Sequence, residues 1–174
     1  MSNLRDSNIF QDFTVWIQDI GKIGEAPEFQ PPEIQIETED FRGGGMDGTV
    51  EIPMGIQKIE FDFNLHTWDE QIWQNLGYGP GSLDVPITFR GYLLTAGGAE
   101  KSVLIETHSL IKAIKPGKVQ AGKKVDMTIS VAANYYRHNI DGIDVTEIDV
   151  FNKITIIGGV DKSANARRIL GFTY

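Results

Sequence analysis

The sequence contains no cysteine among its 174 residues. That absence excludes a disulfide framework, a cysteine-ligated zinc site and a thiol nucleophile. Histidine is scarce, with only His66, His108 and His138. None of the three stands at metal-binding spacing from another, and no HExxH-like pair occurs. Long hydrophobic runs are missing as well. The longest apolar stretches, such as Ile154 to Val160, are broken by Thr155, Gly158 and Gly159, whereas a spanning helix needs about 20 apolar residues. The segment Met1-Ser2-Asn3-Leu4-Arg5-Asp6-Ser7 has no basic region followed by an apolar one, so it does not read as a secretory signal. The expectation is a soluble protein made in a cytoplasm, without a membrane anchor.

Basic residues are outnumbered, 16 Lys+Arg against 24 Asp+Glu, for a formal net charge of -8. This argues against binding nucleic acid by neutralising phosphates. The deficit is local. Residues 1–65 hold four bases and thirteen acids, whereas residues 66–174 hold twelve bases and eleven acids. Residues 112–124 reverse the pattern, with Lys112, Lys115, Lys118, Lys123 and Lys124 and no acid. Pro116, Gly117 and Gly122 make this stretch read as a loop between strands. Hydrophobic content of 41% and charged content of 23% are ordinary globular usage, and the length predicts one domain over 1–174.

What the sequence does have is alternation with period two. Ile59, Phe61, Phe63 and Leu65 alternate with Glu60, Asp62 and Asn64, the pattern of a half-buried strand. Val125, Met127, Ile129, Val131, Ala133 and Tyr135 alternate in the same way with polar or small residues. Val103 to Ile114, Val85 to Thr95, Phe10 to Ile17 and Ile34 to Thr38 read as further strands. Asp141-Gly142 between two such runs predicts a two-residue hairpin turn with positive φ at both centres. Glycines and prolines punctuate the rest, so the fold class is mainly β, a sandwich or barrel. One helix interrupts it, at about 67–76. Thr67-Trp68-Asp69-Glu70 reads as a capping box with Thr67 as N-cap, Ile72, Trp73 and Leu76 form the apolar stripe, and Gly77 reads as the terminator. A second short helix is expected from Ser163 to Leu170.

Catalytic constellations are absent. No G-x-S-x-G elbow occurs. Asp69-Glu70 reads as a helix start, and Glu39-Asp40 borders a glycine turn. Arg42-Gly43-Gly44-Gly45-Met46-Asp47-Gly48 shares only its glycines with a phosphate-cradling loop, because it lacks the Lys-Ser/Thr of a P-loop. Its four glycines give the backbone freedom that is costly to order, about 1–2 kcal/mol per residue. Such a loop either stays mobile or is ordered by a contact. No enzyme, cofactor or metal is read here.

Several segments together resemble one family. They are Glu39-Asp40-Phe41-Arg42-Gly43-Gly44-Gly45-Met46-Asp47-Gly48, Pro53-Met54-Gly55, Pro116-Gly117, Ala121-Gly122-Lys123 and Tyr135-Tyr136-Arg137. Asp141-Gly142, Glu147-Ile148-Asp149, Gly159-Val160-Asp161 and Arg167-Arg168 before Leu170-Gly171-Phe172 complete the series. Their order and spacing resemble the major tail tube proteins of contractile-tailed bacteriophages and R-type bacteriocins, from about Asn8 to Phe172. Residues 22–33 and 77–84 lie outside the resemblance.

The resemblance implies a structural protein of the virion tail, assembled in the host bacterial cytoplasm. In the family a β-sandwich subunit with one flanking helix closes into a hexameric ring whose subunits join into a ring β-barrel. Rings stack into a tube inside a contractile sheath, and the tube is driven through the target envelope. It then conducts DNA in a phage or leaks ions in a bacteriocin. The implied partners are further copies of the chain, the sheath, baseplate or initiator and terminator proteins, and a tape measure protein and DNA passing through the lumen.

Two sets of site residues follow. The glycine-rich segment at about 40–55, with Phe41, Arg42, Gly43, Gly44, Gly45, Met46, Asp47 and Gly48 at its centre, is assigned to a contact with a neighbouring subunit or ring. Glu60, Asp62 and Asn64, with Glu33, Gln35, Glu37 and Glu39 beside them, are the candidates for the channel wall, where carboxylates would repel phosphate. The acids are expected inside the bore and the lysines of 112–124 elsewhere. Two other readings stand beside this one. The first is a tube protein of a type VI-like secretion or toxin-delivery machine. The second is a monomeric carbohydrate-binding β-sandwich that uses Trp16, Trp68 and Trp73.

Overall fold

Residues 7–172 are described by the computed structural model. Residues 1–6, most of the segment read above for a leader, lie outside the described residues. The elements in chain order are β1 (Asn8–Ile17), β2 (Ile20–Gly21), β3 (Ile36–Phe41), β4 (Val50–Ile56), β5 (Ile59–Leu65), α1 (Glu70–Gln74) and β6 (Val85–Thr95). They continue with β7 (Glu100–Pro116), β8 (Met127–Ile140), β9 (Ile143–Asp149), β10 (Ile154–Ile157), β11 (Val160–Asp161) and α2 (Ala164–Leu170). The chain is mainly β, as its alternation predicts.

One antiparallel sheet of nine strands runs β11-β10-β9-β8-β7-β6-β1-β2, with β5 added at β8. The long hairpin β7–β8 is its spine. Along one edge of β8, β9 pairs with Tyr135 to Ile140 and β5 with Met127 to Ala133. The sandwich is therefore one continuous sheet folded over itself, with the hairpin belonging to both halves. Its inner face is the core. Ile59, Phe61, Phe63 and Leu65 of β5 are buried together with Val15 and Ile17 of β1, Ile87 and Phe89 of β6, and Met127, Ile129 and Val131 of β8. Phe29 joins the two halves, with its ring 5.7 Å from Phe61 and stacked at 4.4 Å on Phe89.

A bulge alters the alternation of β8. Ala133 pairs with Ser109 and Tyr135 with His108, so Asn134 is the additional residue. Side chains change face there: Tyr136 is buried, and Tyr135 turns to the polar side. Asn134 has work of its own, donating from Nδ2 to the Leu83 carbonyl at 3.1 Å and accepting from the Val150 N–H at 3.0 Å. Bulges re-aim a strand in this way. The turn after β8 follows expectation, with Asp141 at φ 52° and Gly142 at φ 81° between the paired Ile140 and Ile143.

The first helix is shorter than its sequence suggests. It covers Glu70–Gln74, and its N-cap is Asp69, not Thr67. The Asp69 carboxylate accepts from the Gln71 N–H at 2.8 Å and also holds the buried Lys22 ammonium. That double engagement fixes the start two residues later than a capping box would. Gly77 does not end the helix, whose C-cap is Asn75. The Gly77 N–H instead donates to the Ile111 carbonyl at 2.9 Å, and a Cβ there would lie 1.9 Å from Leu110 Cδ1. The second helix fits the reading, with Ser163 before it and Gly171 in the left-handed conformation after it. A further difference concerns the lysine-rich stretch. β7 runs on to Pro116, so Lys112 and Lys115 belong to a strand and only the remaining three lysines lie in the connection to β8.

Candidate assembly surfaces

Three surfaces stand out, and the first is the ribbon β3–β4. It pairs from Ile36↔Ile56 to Phe41↔Val50, apart from the main sheet. Every residue of β3 is exposed, and so is all of β4 except Ile56. Ile36, Phe41, Val50, Ile52 and Met54 are between 43% and 60% exposed. An isolated two-stranded ribbon is marginally stable in water. Covering five half-exposed apolar side chains would contribute about 5 kcal/mol. The glycine-rich residues form its turn. Phe41 ends β3, and its ring lies against Gly43; the Gly43 N–H donates to Met46 Sδ at 3.1 Å. Gly45 has φ 84°, a conformation that favours glycine. The turn is thus folded by its own contacts, and most of the stretch 40–55 is strand.

The second surface is the polar face of β5, β8 and β7. Glu60, Asp62 and Asn64 sit there opposite Ala132, Ser130 and Thr128. Glu60 is paired with Lys58 and Lys112, both at 2.5 Å. Those contacts, Lys112 first, hold its carboxyl below the usual range. Asn64 donates to Glu28 Oε1 at 2.6 Å and accepts from Thr128 Oγ1 at 2.7 Å. Glu33 lines the same cleft as Glu60, Asp62, Lys112 and Lys115. Glu37 and Glu39 do not join it, because they belong to the ribbon. The face is therefore mixed in charge: lysines expected elsewhere stand among the acids. Further along the same face, Arg137 donates from Nε to Glu106 at 2.7 Å and Tyr135 Oη donates to Glu147 at 3.2 Å. Burial, followed by the Glu147 charge, pushes the Tyr135 hydroxyl up to about 12.

The third surface surrounds α1, where Trp68 and Trp73 pack with ring centroids 6.2 Å apart and remain partly exposed. Trp16 is engaged elsewhere, donating to Thr14 and lying under the Arg90 guanidinium at 5.7 Å. The three tryptophans thus do not make one platform. Arg167 binds Asp161 within its own chain, and Arg168 donates to Asn165. One cleft had no linear signal at all. His108 Nδ1 lies 2.5 Å from Asp84 Oδ1, beside Tyr135, Leu83, Asp149 and Phe151, brought together from four separate segments. Among the described residues no three His, Asp or Glu side chains converge as metal ligands, and no helix is long and apolar enough to cross a membrane.

This architecture has known counterparts. The fold is that of subunits solved in an extracellular contractile injection system. A structure of its sheath/tube terminator in the extended state superposes with a TM-score of 0.56 at 15% identity, covering 75% of this chain and 93% of that one. A sheath-tube complex in the same state gives 0.54 at 15% identity, covering 75% and 88%. In sequence, the tail tube protein of Escherichia phage P2 is 28% identical over 151 residues, 85% of this chain and 88% of the relative. The major tail tube protein of Serratia phage KSP20 is 28% identical over 142 residues, 82% of each. The profile of the family described as phage tail tube protein FII matches residues 7–171. The chain belongs to that family.

Proposed function

We propose that this chain, as one tail tube domain, is the structural subunit of the inner tail tube of a contractile phage. Six copies close a ring, and rings stack into a hollow tube that pierces the target envelope and conducts DNA. The sheath surrounds it, baseplate and terminator proteins bound it, and the tape measure protein and DNA pass through without specific binding. The subunit does no catalysis. What carries this reading is the family match across residues 7–171. The exposed ribbon β3–β4 supplies its physical counterpart, since a subunit that ends in an assembly need not cover that element itself.

Within this reading, Phe41 to Gly48 form a contact between copies. Glu60, Asp62 and Asn64, with Glu33 beside them, face the channel. Glu37 and Glu39 fall to the contact instead. A channel face on which Glu60 is neutralised by two lysines and its neighbours are polar offers phosphate neither a cationic cradle nor a uniform acidic wall. Such a surface suits passage. The test is sedimentation of the purified protein at high concentration. Wild type should pellet as long particles, and a protein that stays wholly in the supernatant as a monomer would contradict the assignment.

A further inference from the structure

Aspartate followed by glycine occurs twice in this chain, at Asp47-Gly48 and at Asp141-Gly142, and no asparagine precedes a glycine. Such a pair is able to react with itself. The nitrogen of the following residue attacks the side-chain carboxyl carbon of the aspartate, and a five-membered ring forms. Glycine hinders this least, because it has no Cβ beside the attacking nitrogen. What decides between the two pairs is how firmly each backbone is held.

Asp141-Gly142 is held. The pair forms the two centres of the hairpin turn, with φ 52° and 81°, between the paired Ile140 and Ile143. The Gly142 N–H donates to Asn139 Oδ1 at 2.9 Å, and the Asp141 N–H donates to the Ser102 carbonyl at 2.9 Å. The nitrogen that would attack is therefore already engaged. Asp47-Gly48 is the opposite case. The contacts that fold the ribbon's turn stop at Met46, which accepts from the Gly43 N–H through Sδ and donates to the Gly43 carbonyl at 3.3 Å. Pairing resumes at Val50. In the gap, neither the Asp47 carboxylate nor the Gly48 N–H has a hydrogen-bond or ion-pair partner among the described residues. Both residues are exposed, and a Cβ at Gly48 would meet nothing within 4 Å. Asp141 is exposed too, so it is the backbone that separates the two sites.

We propose that Asp47 is a site of spontaneous isomerisation, and that the reaction removes unassembled subunits from the pool able to assemble. The chemistry balances with water alone. The Gly48 nitrogen bonds to Cγ of Asp47, and the carboxyl hydroxyl leaves with the amide proton as water. Water then opens the succinimide. Attack at Cγ restores aspartate. Attack at the backbone carbonyl carbon leaves the chain running through Cβ and Cγ, which is isoaspartate. The backbone gains one carbon, the carboxylate moves onto Cα, and mass is unchanged. Only Gly48 and Thr49 separate the altered residue from Val50, so the extra atom falls between the turn and the Phe41↔Val50 pair. The effect on assembly rests on the reading of residues 41–48 as a contact between copies, since an assembled turn is covered and a free one is not.

The test follows peptides of the full chain. Unassembled protein is aged at physiological temperature and pH. Isoaspartate is then located by methylation with a protein isoaspartyl methyltransferase and by fragmentation in a mass spectrometer. It should form at residue 47 at least about fivefold faster than at residue 141, since the Gly142 hydrogen bond must open before attack. Asp47→Glu, which would need a six-membered ring, should lose the signal. Equal rates at the two sites, or no isoaspartate at 47, overturn the proposal. Partition is the second readout. When aged protein is concentrated to assemble, isoaspartate at 47 should be depleted from pelleted tubes and enriched in the supernatant. Tubes made from fresh protein should also accumulate less of it than free subunits over the same time. Equal partition overturns the effect on assembly and counts against the contact role of residues 41–48, while the tube reading stands. Protein that forms no tubes even when fresh contradicts the tube reading, and the comparison of residues 47 and 141 still judges the reaction.

Discussion

Lys22 and Asp69 show how much rests on single residues outside any strand. Lys22 is only 5% exposed, and its ammonium is held by Asp69 and by Gln71 Oε1 at 3.1 Å. The same carboxylate caps α1. Asp69→Ala therefore removes a cap and leaves a buried cation unpaired, which costs about 3 kcal/mol; urea unfolding measures it. The Lys22 contact, first among the causes, holds the Asp69 carboxyl below its ordinary 3.8. A carboxyl with a depressed folded value contributes stability that is present above the unfolded value and lost as pH falls through the folded one. The Asp69→Asn variant should accordingly lose less stability than wild type on acidification below about pH 4, read as unfolding midpoints across that range. Gly77 makes a second case. A methyl group there meets Leu110 at 1.9 Å and the Ile111 carbonyl at 3.0 Å, so Gly77→Ala should destabilise by about 1–3 kcal/mol through overpacking, seen in the same assay. Neither role was legible in the sequence. Thr67 and Gly77 satisfied local rules for a helix start and stop, but Lys22 and β7, distant in sequence, decided otherwise.

At the level of elements, strands were legible wherever one face is buried and the other is wet. β5 and β6 fall on the residues that alternation marks, because burial on a single face imposes period two. In β8 the alternation misleads past Asn134, where a bulge exchanges the faces of Tyr135 and Tyr136. A bulge is stabilised by bonds to Leu83 and Val150, which leave no local pattern. Of the ribbon, the start of β3 was legible as a strand read over Ile34 to Thr38, whereas β4 was not and the turn read only as a loop with a purpose, since neither face of the ribbon is buried in the monomer. Its turn is the place to test its role. Gly45 sits at φ 84° with open space around it, so Gly45→Val strains the turn without a clash. The variant should keep a monomer with wild-type unfolding midpoint to within about 1–3 kcal/mol, while tube formation fails. Normal tubes from it would contradict the assignment of residues 41–48 to a contact.

For the whole molecule, the scarcity of base in the first third takes on a location. Of the acids of residues 1–65, Glu37, Glu39, Asp40 and Glu51 stand on the ribbon and Glu60 and Asp62 on the polar face of β5, where Lys58 and Lys112 answer Glu60. The expected separation of acids from lysines therefore gives way to a mixed face and an acidic ribbon. In a ring of six the formal charge is six times -8, so assembly should respond to salt. Screening weakens both the repulsion and the attraction between exposed charges within about 10 Å at 0.1 M. The central claim, that this fold is an incomplete unit finished by copies of itself, is tested most directly by electron microscopy of the purified protein. Hollow tubes built from stacked six-fold rings are the predicted result. A field of single compact particles at concentrations where the protein is saturated, with no ring or tube, would contradict it.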